Sequence, residues 1–501
     1  MRHTILTVLL AACIGTLSAQ DIRYDIQKSE IFETDVNYSS MASVAEDDEG
    51  GLTMAYKTDK GYTFQKYNGE MQLVKEQELK LRDRDVINVI INNEKAIVVD
   101  FTYNKKAKAY ICSASVAAVS DLAFTTQELF TVPAAKSVPI NFRIGSSVSE
   151  GTNFATLLTD KDKLVFAVYV DIDDPLDEND SRKLAVYNTN LELTYEHPFA
   201  NEGKKFTYAY QNLEVTETGT YLLAKVYTRF PANTKAAEKY KYYYEMLMLD
   251  ENGYKKQLFD TEKLLAKNLR IVPKENAVCC TGFYSNYGGM RAEGVCYYDM
   301  DPVTLDIRVQ KFHPFSKQLL LDKFGQDIKQ GLPNLEMNSV FLTPDNNIII
   351  NAEEIDNGSV QNRNILHFDD IVTAALDANG DLLWTRGINK EQWMEGTTRY
   401  LSYTSAVAGE NTYFFFNSGE KPKDLGRGRI EFGHRNTYTA NLNIIRVNQQ
   451  GQMDFKEILP SKDSQIPFMT AIGLVSKKGD MIYFLGEKDK KKQLLKVSII
   501  N

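Results

Sequence analysis

The 501-residue chain has five cysteines, five histidines and two tryptophans. Cys279 and Cys280 adjoin one another while Cys112 and Cys296 stand apart, so no spacing suits zinc. The histidines left beyond the amino-terminal stretch, His197, His313, His367 and His434, are equally scattered. There is no Gly-x-Ser-x-Gly elbow and no His-Glu-x-x-His, which removes the simplest serine-hydrolase and zinc-protease readings. Positive charge is also short: 58 basic residues face 67 acidic ones, a net −9, or −10 if Arg2 is lost with a leader. Nucleic acid is therefore not an expected partner. Past the first twenty residues no run approaches the roughly 18 apolar residues of a membrane helix.

Those first residues, MRHTILTVLLAACIGTLSAQ, read as an export signal over 1–19. Arg2 and His3 supply the polar start, Ile5 to Ile14 a short apolar run, and cleavage after Ala19 leaves Gln20 first. Leu10-Ala11-Ala12-Cys13 also fits a lipobox, so a lipid anchor at Cys13 is the alternative processing. Either way the expectation is an exported chain in the periplasm, at the outer-membrane surface or outside the cell. Of the four remaining cysteines, Cys280 falls near Cys296 if Ala277–Phe283 pairs with Gly294–Asp299, giving either a disulfide or buried thiols.

What the sequence has in abundance is strand. Tyr and Phe number 28 and 25, and one unit recurs. From Asn338 to Lys390 it reads as two apolar runs about Thr343-Pro344-Asp345-Asn346-Asn347, then a polar loop. A third run follows from Ile371 to Leu376, then the turn Asp377-Ala378-Asn379-Gly380 and a fourth run through Trp384. The leading hairpin occurs eight times: MASVAEDDEGGLTMAYKT, VINVIINNEKAIVVDFTYN, FATLLTDKDKLVFAVYVD, NLEVTETGTYLLAKVYT, LRIVPKENAVCCTGFYS, SVFLTPDNNIIINAEE, TSAVAGENTYFFFNSGE and AIGLVSKKGDMIYFLGE. The turn before the fourth strand occurs seven times, from Tyr67, Val119, Tyr187, Leu249, Met300, Leu376 and Val447. The eighth is missing, because the chain stops after Gln493 to Ile500. Ile22 to Phe32, an unattached strand, precedes the first hairpin and can supply it.

Four-stranded units joined in this way resemble the β-propeller superfamily, and the expected fold is all-β. It is an eight-bladed β-propeller over 20–501, with seven blades if one hairpin is an insertion, closed by the N-terminal strand. LDANGDLLW is similar to the repeat of the quinoprotein-like (PQQ-type) eight-bladed propellers, in which a Gly turn precedes a strand bearing Trp. That family docks a Trp from most blades, and this chain has only Trp384 and Trp393, so no quinone or other cofactor is expected. The whole also resembles exported propellers of diderm bacteria, a likeness that brings no activity with it.

Four departures from the repeat are candidate sites. Asp171 to Asp180 concentrates carboxylates that could hold calcium, or be a solvated loop, though the EF-hand spacing is absent. Phe230 to Glu245 interleaves Lys and Tyr; its alternatives are ligand stacking and, at Tyr242 to Tyr244, the start of a third strand. Ser316 to Gln330 places Leu320, Phe324 and Ile328 on one helical face, with Ser316 as cap and Gly331 as stop. Ser418 to Tyr438 gathers Lys421, Lys423, Arg427, Arg429, His434 and Arg435, either an anion site or a flexible solvated loop. His367-Phe368-Asp369-Asp370 reads as a turn entering a strand. No catalytic, metal or cofactor residue is assigned. The expected role is a monomeric, non-catalytic binding or scaffold module for a protein or glycan. The alternative is a polysaccharide-active enzyme with a carboxylate pair in the funnel.

Overall fold

The computed structural model describes residues 22–500 apart from short connecting segments, the longer of which are 143–153, 173–181, 200–205 and 229–241. The leader and Cys13 lie outside the described residues. Each of the eight hairpins forms two adjacent strands of its own sheet, the first two except in blade 3, where Asn141–Phe142 precedes them, and the eight sheets follow one another along the chain. Blades 1 to 7 span 41–80, 85–133, 141–196, 206–259, 264–314, 335–393 and 403–459. Blade 8 takes three strands from 474–499 and its fourth from Tyr24–Lys28. That strand runs antiparallel to Lys491–Ile499, with Tyr24 opposite Ile499 and Lys28 opposite Leu495. Phe32–Glu33 then pairs with the other end of the same strand. The ring is closed as the missing eighth turn required, leaving no blade with an unfinished edge.

The cores lie between blades, which explains second strands apolar at every position. Along Ala277–Asn286, Val278 and Cys280 pack toward blade 4, while Cys279 and Phe283 pack toward blade 6. With both faces covered, the alternation of a half-exposed strand disappears. Cys296 stands opposite Gly282, diagonal to Cys280, and all four described cysteines are free, buried thiols.

The turn before the fourth strand has one chemistry with two endings. An Asn or Asp opens it and its side-chain oxygen accepts two backbone N–H groups, as Asn188 does from Asn190 and Glu192 and Asp377 from Asn379 and Asp381. The residue that closes it lies in the left-handed region. In blades 1, 3 and 5 it is Met71, Leu191 or Leu305, each buried. In blades 6 and 7 it is Gly380 or Gly451. A Cβ on Gly380 would sit 2.1 Å from the Tyr297 ring of blade 5, and one on Gly451 2.9 Å from the Trp384 ring of blade 6. At Gly380 and Gly451 the neighbouring blade brings an aromatic ring that leaves no room for a Cβ, while Met71, Leu191 and Leu305 fill the space themselves.

A second repeat emerges only from the pairing. The innermost strands of blades 1, 2, 4, 5 and 6 each carry a β-bulge, with Ala42, Ile87, Gln211, Lys267 and Asn338 as the extra residue. The next residue is Ser43, Asn88, Asn212, Asn268 or Ser339, and in three cases it reaches the following blade. Asn212 Oδ1 accepts from Ile271 N at 3.2 Å, Asn268 Nδ2 donates to Leu335 O at 3.1 Å, and Ser339 Oγ lies 2.9 Å from Ser405 Oγ. Blades 4 to 7 are clasped in series along the channel wall.

Candidate binding face

Because strands alternate in direction, the first and third turns of every blade lie on one face of the ring. The second turns and the blade-to-blade connections lie on the other. All four departures from the repeat belong to this second face: they fall between the middle strands of blades 3, 4 and 7, and between blades 5 and 6. Most of the acidic stretch, 173–181, and of the Lys/Tyr stretch, 229–241, lies outside the described residues. Asp171, the first acid of the former, is buried and paired with Arg182 at 3.3 Å. Tyr243–Asp250 is the third strand of blade 4, so the tyrosines of the latter do open a strand.

Blade 6 departs most from expectation. The polar loop after Ile350 is strand instead: Ile348–Val360 and Arg363–Leu376 continue past the repeat, and Leu382–Trp393 keeps pace. His367-Phe368-Asp369-Asp370 lies inside the third strand, at a break in its register, rather than in a turn. The basic stretch is not a flexible loop. Lys423–Gly426 and Arg429–His434 form a hairpin that leaves blade 7 and adds to blade 6, the second strand running parallel to Leu382–Trp393. Blade 6 thereby has six strands. Four of the cations of this stretch are engaged by the protein. Lys423 pairs with Glu431 at 3.2 Å and Arg435 with Glu391 at 2.6 Å, while Arg429 donates to Lys323 O at 2.9 Å and Arg427 to Gly325 O.

Those two carbonyls end the helix α1 (Lys317–Phe324), capped by Ser316 as expected but stopped at Gly325 rather than Gly331. Gly325 is left-handed, and the two arginines satisfy carbonyls that a longer helix would have used itself. The helix lies on the outer strand of blade 6. Asp322 accepts from Arg386 Nε at 2.7 Å and from Gly387 N at 3.1 Å. Lys323 Nζ bridges Glu354 at 2.7 Å and Asp370 at 2.6 Å. Burial, opposed by Lys323, pushes the Glu354 carboxyl up to about 7.

Beneath this is a dry ionic centre. Lys390 and Glu353 side chains are both 0% exposed and 2.6 Å apart. The ammonium also donates to Phe368 O at 2.7 Å and Gln392 Oε1 at 3.0 Å, which uses its three protons. Glu353 Oε2 accepts from Ser402 Oγ at 2.5 Å, and Gln392 Oε1 from Ser402 N at 2.7 Å. Gln392 donates to Asn417 O, and Asn417 in turn to Tyr400 O and Phe468 O, so the network ties blades 6, 7 and 8. Nearby, His434 is buried with both ring nitrogens unpartnered among the described residues. Burial and, secondarily, Lys390 push its pKa down to about 4.

On the outward side of the same strands stands an aromatic row. His367 is directly opposite Trp393, and the Arg435 guanidinium lies 5.7 Å from the Trp393 ring centre. The His367 ring covers Gly358, where a Cβ would come within 2.4 Å of Nε2. Leu366 beside it is exposed. A flat aromatic surface edged by a guanidinium and a carboxylate can stack on and hydrogen-bond a sugar or peptide. Beside the added hairpin is a pocket of about 320 Å³ lined by Asp322, Arg386, Arg429, Phe432, Asp454 and Phe455, among others. Both of its acids are paired, Asp322 with Arg386 and Asp454 with Arg446.

The histidines do not converge. His197 packs on Phe199 and Tyr254 at the junction of blades 3 and 4, and His313 Nε2 lies 2.8 Å from Gly380 O. Contrary to their distant positions in the sequence, His367 and His434 share blade 6. Among the described residues no three His, Cys, Asp or Glu side chains are grouped to hold a metal ion. The ionic centre escaped the sequence because its members lie up to 49 residues apart. The channel clasps had a readable signal: Ser or Asn followed by an apolar residue in the inner strands of blades 1, 2, 4, 5 and 6.

No family model matches the chain, and no curated protein matches it. Solved structures do. Prolyl oligopeptidase B from Galerina marginata, bound to a 35mer hydrolysis and macrocyclization substrate, matches 90% of this chain at 10% identity with a TM-score of 0.39. The chain spans 55% of that enzyme's length. Hydrazine synthase from Kuenenia stuttgartiensis matches 90% of this chain and 94% of its own, at 10% identity and a TM-score of 0.34. The β-propeller domain of the Trilobed protease from Pyrococcus furiosus matches 86% and 98%, at 10% identity and a TM-score of 0.35. By its own sheets the chain is an eight-bladed β-propeller closed by its N-terminal strand.

Proposed function

We propose that this is an exported, non-catalytic binding or scaffold module that presents its insertion-bearing face to a protein or glycan. The observation that carries the reading is the crest of blade 6. Trp393, His367 and Arg435 form a row on strands pinned from behind by the Lys390–Glu353 centre. Rigid anchors lose little entropy on binding, which is what a recognition surface needs. Ring closure completes the eighth blade and covers the edge of Lys491–Ile499, which favours a monomer. Export rests on the leader at 1–19, with Cys13 as the alternative anchor point. The distant quinoprotein-like resemblance has one structural support: Trp384 Nε1 donates to Gln449 O at 2.8 Å, docking blade 6 on the turn of blade 7.

A polysaccharide-active enzyme with a carboxylate pair in the funnel is the runner-up. A glycan array probed with the chain and with Trp393→Ala separates the readings. Retention of a defined glycan by the parent, its loss in the variant and no shortening of that glycan on incubation support a binder. Cleavage supports the enzyme.

A further inference from the structure

We infer that the channel beside blades 8, 1, 2 and 3 holds a site for a small carboxylate with an apolar tail, its oxygens received by Lys163. This inference is independent of the crest. A pocket of about 380 Å³ lies against the innermost strands of these four blades, and Lys163 is the one charged residue lining it among the described residues. Lys163 sits left-handed in the first turn of blade 3. Its carbonyl accepts from Asn92 Nδ2 of blade 2 at 3.0 Å, and its ammonium reaches past that blade to donate to Val44 O of blade 1 at 3.0 Å. The side chain is thus held at both ends, with two of its three ammonium protons unpartnered among the described residues. The acids of its own turn are engaged elsewhere. Asp160 accepts from Asp162 N, Leu164 N and Val165 N, and Asp162 pairs with Lys477 of blade 8 at 3.2 Å. Burial lowers the Lys163 pKa, so this is a cation short of water with no carboxylate from the pocket wall to replace it.

The inner-strand bulges point the same way. In blades 4, 5 and 6 the residue after the bulge is spent on a clasp to the next blade. The corresponding residues of blades 1 and 2, Ser43 and Asn88, line this pocket instead. Asn88 Oδ1 accepts from Val89 N at 2.8 Å, which leaves its amide N–H groups and the Ser43 hydroxyl without a partner among the described residues. Thr159 adds a second hydroxyl. Donors therefore gather about an ammonium with no acid among them, the arrangement that receives a carboxylate. Most of the remaining wall is apolar, Val44, Val89, Leu157 and Leu474 included. A hydrocarbon tail would cover that wall and an inorganic ion would not.

Calorimetric titration of the chain with hexanoate and with N-acetyl-leucine, each set against its neutral amide, tests the assignment. At least one acid should bind saturably, about tenfold or more tighter than its amide, the difference that a charge-assisted pair supplies. Lys163→Met should erase that preference while weak binding of the amide persists, a pattern no unfolded variant imitates. Asn88→Leu, which leaves the contact of Lys163 with Val44 intact, should weaken the acid several-fold even if Lys163→Met does not fold. Tighter binding of hexanoate assigns the site to a free aliphatic acid, and tighter binding of N-acetyl-leucine to the C-terminal carboxylate of a peptide. Absence of saturable binding by both acids, equal binding of acid and amide by the parent, or an unaltered preference in Lys163→Met overturns the inference.

Discussion

Replacing Lys390 by Met keeps the stem of the side chain and deletes the charge. Glu353, 0% exposed, would then keep only the Ser402 hydroxyl as partner among the described residues. Removing one member of a buried pair typically costs about 3 to 5 kcal/mol, because the charge left behind is unpaired rather than because the pair itself is strong. That is a factor of roughly 10² to 10³ or more in the folding equilibrium. Both tryptophans, Trp384 and Trp393, belong to the outer strand of blade 6, so indole fluorescence during urea unfolding reports this blade. Far-ultraviolet circular dichroism reports the whole ring. The fluorescence transition of Lys390→Met should move to lower urea by the amount that corresponds to this cost. Adding Glu353→Leu should restore most of the loss, since replacing both ions with apolar groups is often neutral. A single variant costing less than about 1 kcal/mol, or a double variant as damaged as the sum of the singles, would refute the account of this centre.

The other expectations follow from particular contacts. His434 has its folded pKa depressed to about 4 against an ordinary value near 6.5. The unfolded chain therefore binds the extra proton and stability falls as pH drops through that window, and His434→Leu should flatten this part of the pH–stability curve. Gly380→Ala should destabilise by about 2 to 4 kcal/mol, from a left-handed backbone and a Cβ pressed into the Tyr297 ring, measured by the same urea series. Deleting residues 20–33 should expose the edge of Lys491–Ile499 and produce concentration-dependent oligomers in light scattering. If the crest is the recognition surface, Trp393→Ala should weaken glycan or protein capture by roughly 30-fold or more with unchanged circular dichroism.

The blade count was legible because each hairpin obeys local rules: an apolar run, a short polar turn, and a second run doubly covered by its neighbours. Closure was legible because a missing outer strand at one end met a surplus strand at the other. The endpoint of α1 was not, since Gly325 and Gly331 are both competent stops. The choice was made by Arg427 and Arg429, a hundred residues away, closing on the helix carbonyls. The same hairpin defeated the reading of 418–438, because glycines and cations look solvated until an outer strand from another blade offers them hydrogen bonds. Polar residues after Ile350 suggest a loop, yet Asn351, Glu353 and Glu354 are buried in the strand, where Ser339, Lys390 and Lys323 supply partners that sequence patterning does not reveal. For the face that carries the insertions, the sequence located the departures but not the convergence of two of them, 316–330 and 418–438, on blade 6.

The hairpin that blade 7 lends to blade 6 locks one joint of the circumference with backbone as well as side chains. From blade 4 round to blade 8, neighbours are riveted by side-chain clasps, the shared strand and the Gln392–Asn417 relay. The rest of the arc has cross-links of its own, from Tyr483 to Glu46, Asn92 to Lys163 O and Lys95 to Thr189 O. A guest must therefore fit the resting bore or dock on a rim, and the crest keeps its spacing while it does so.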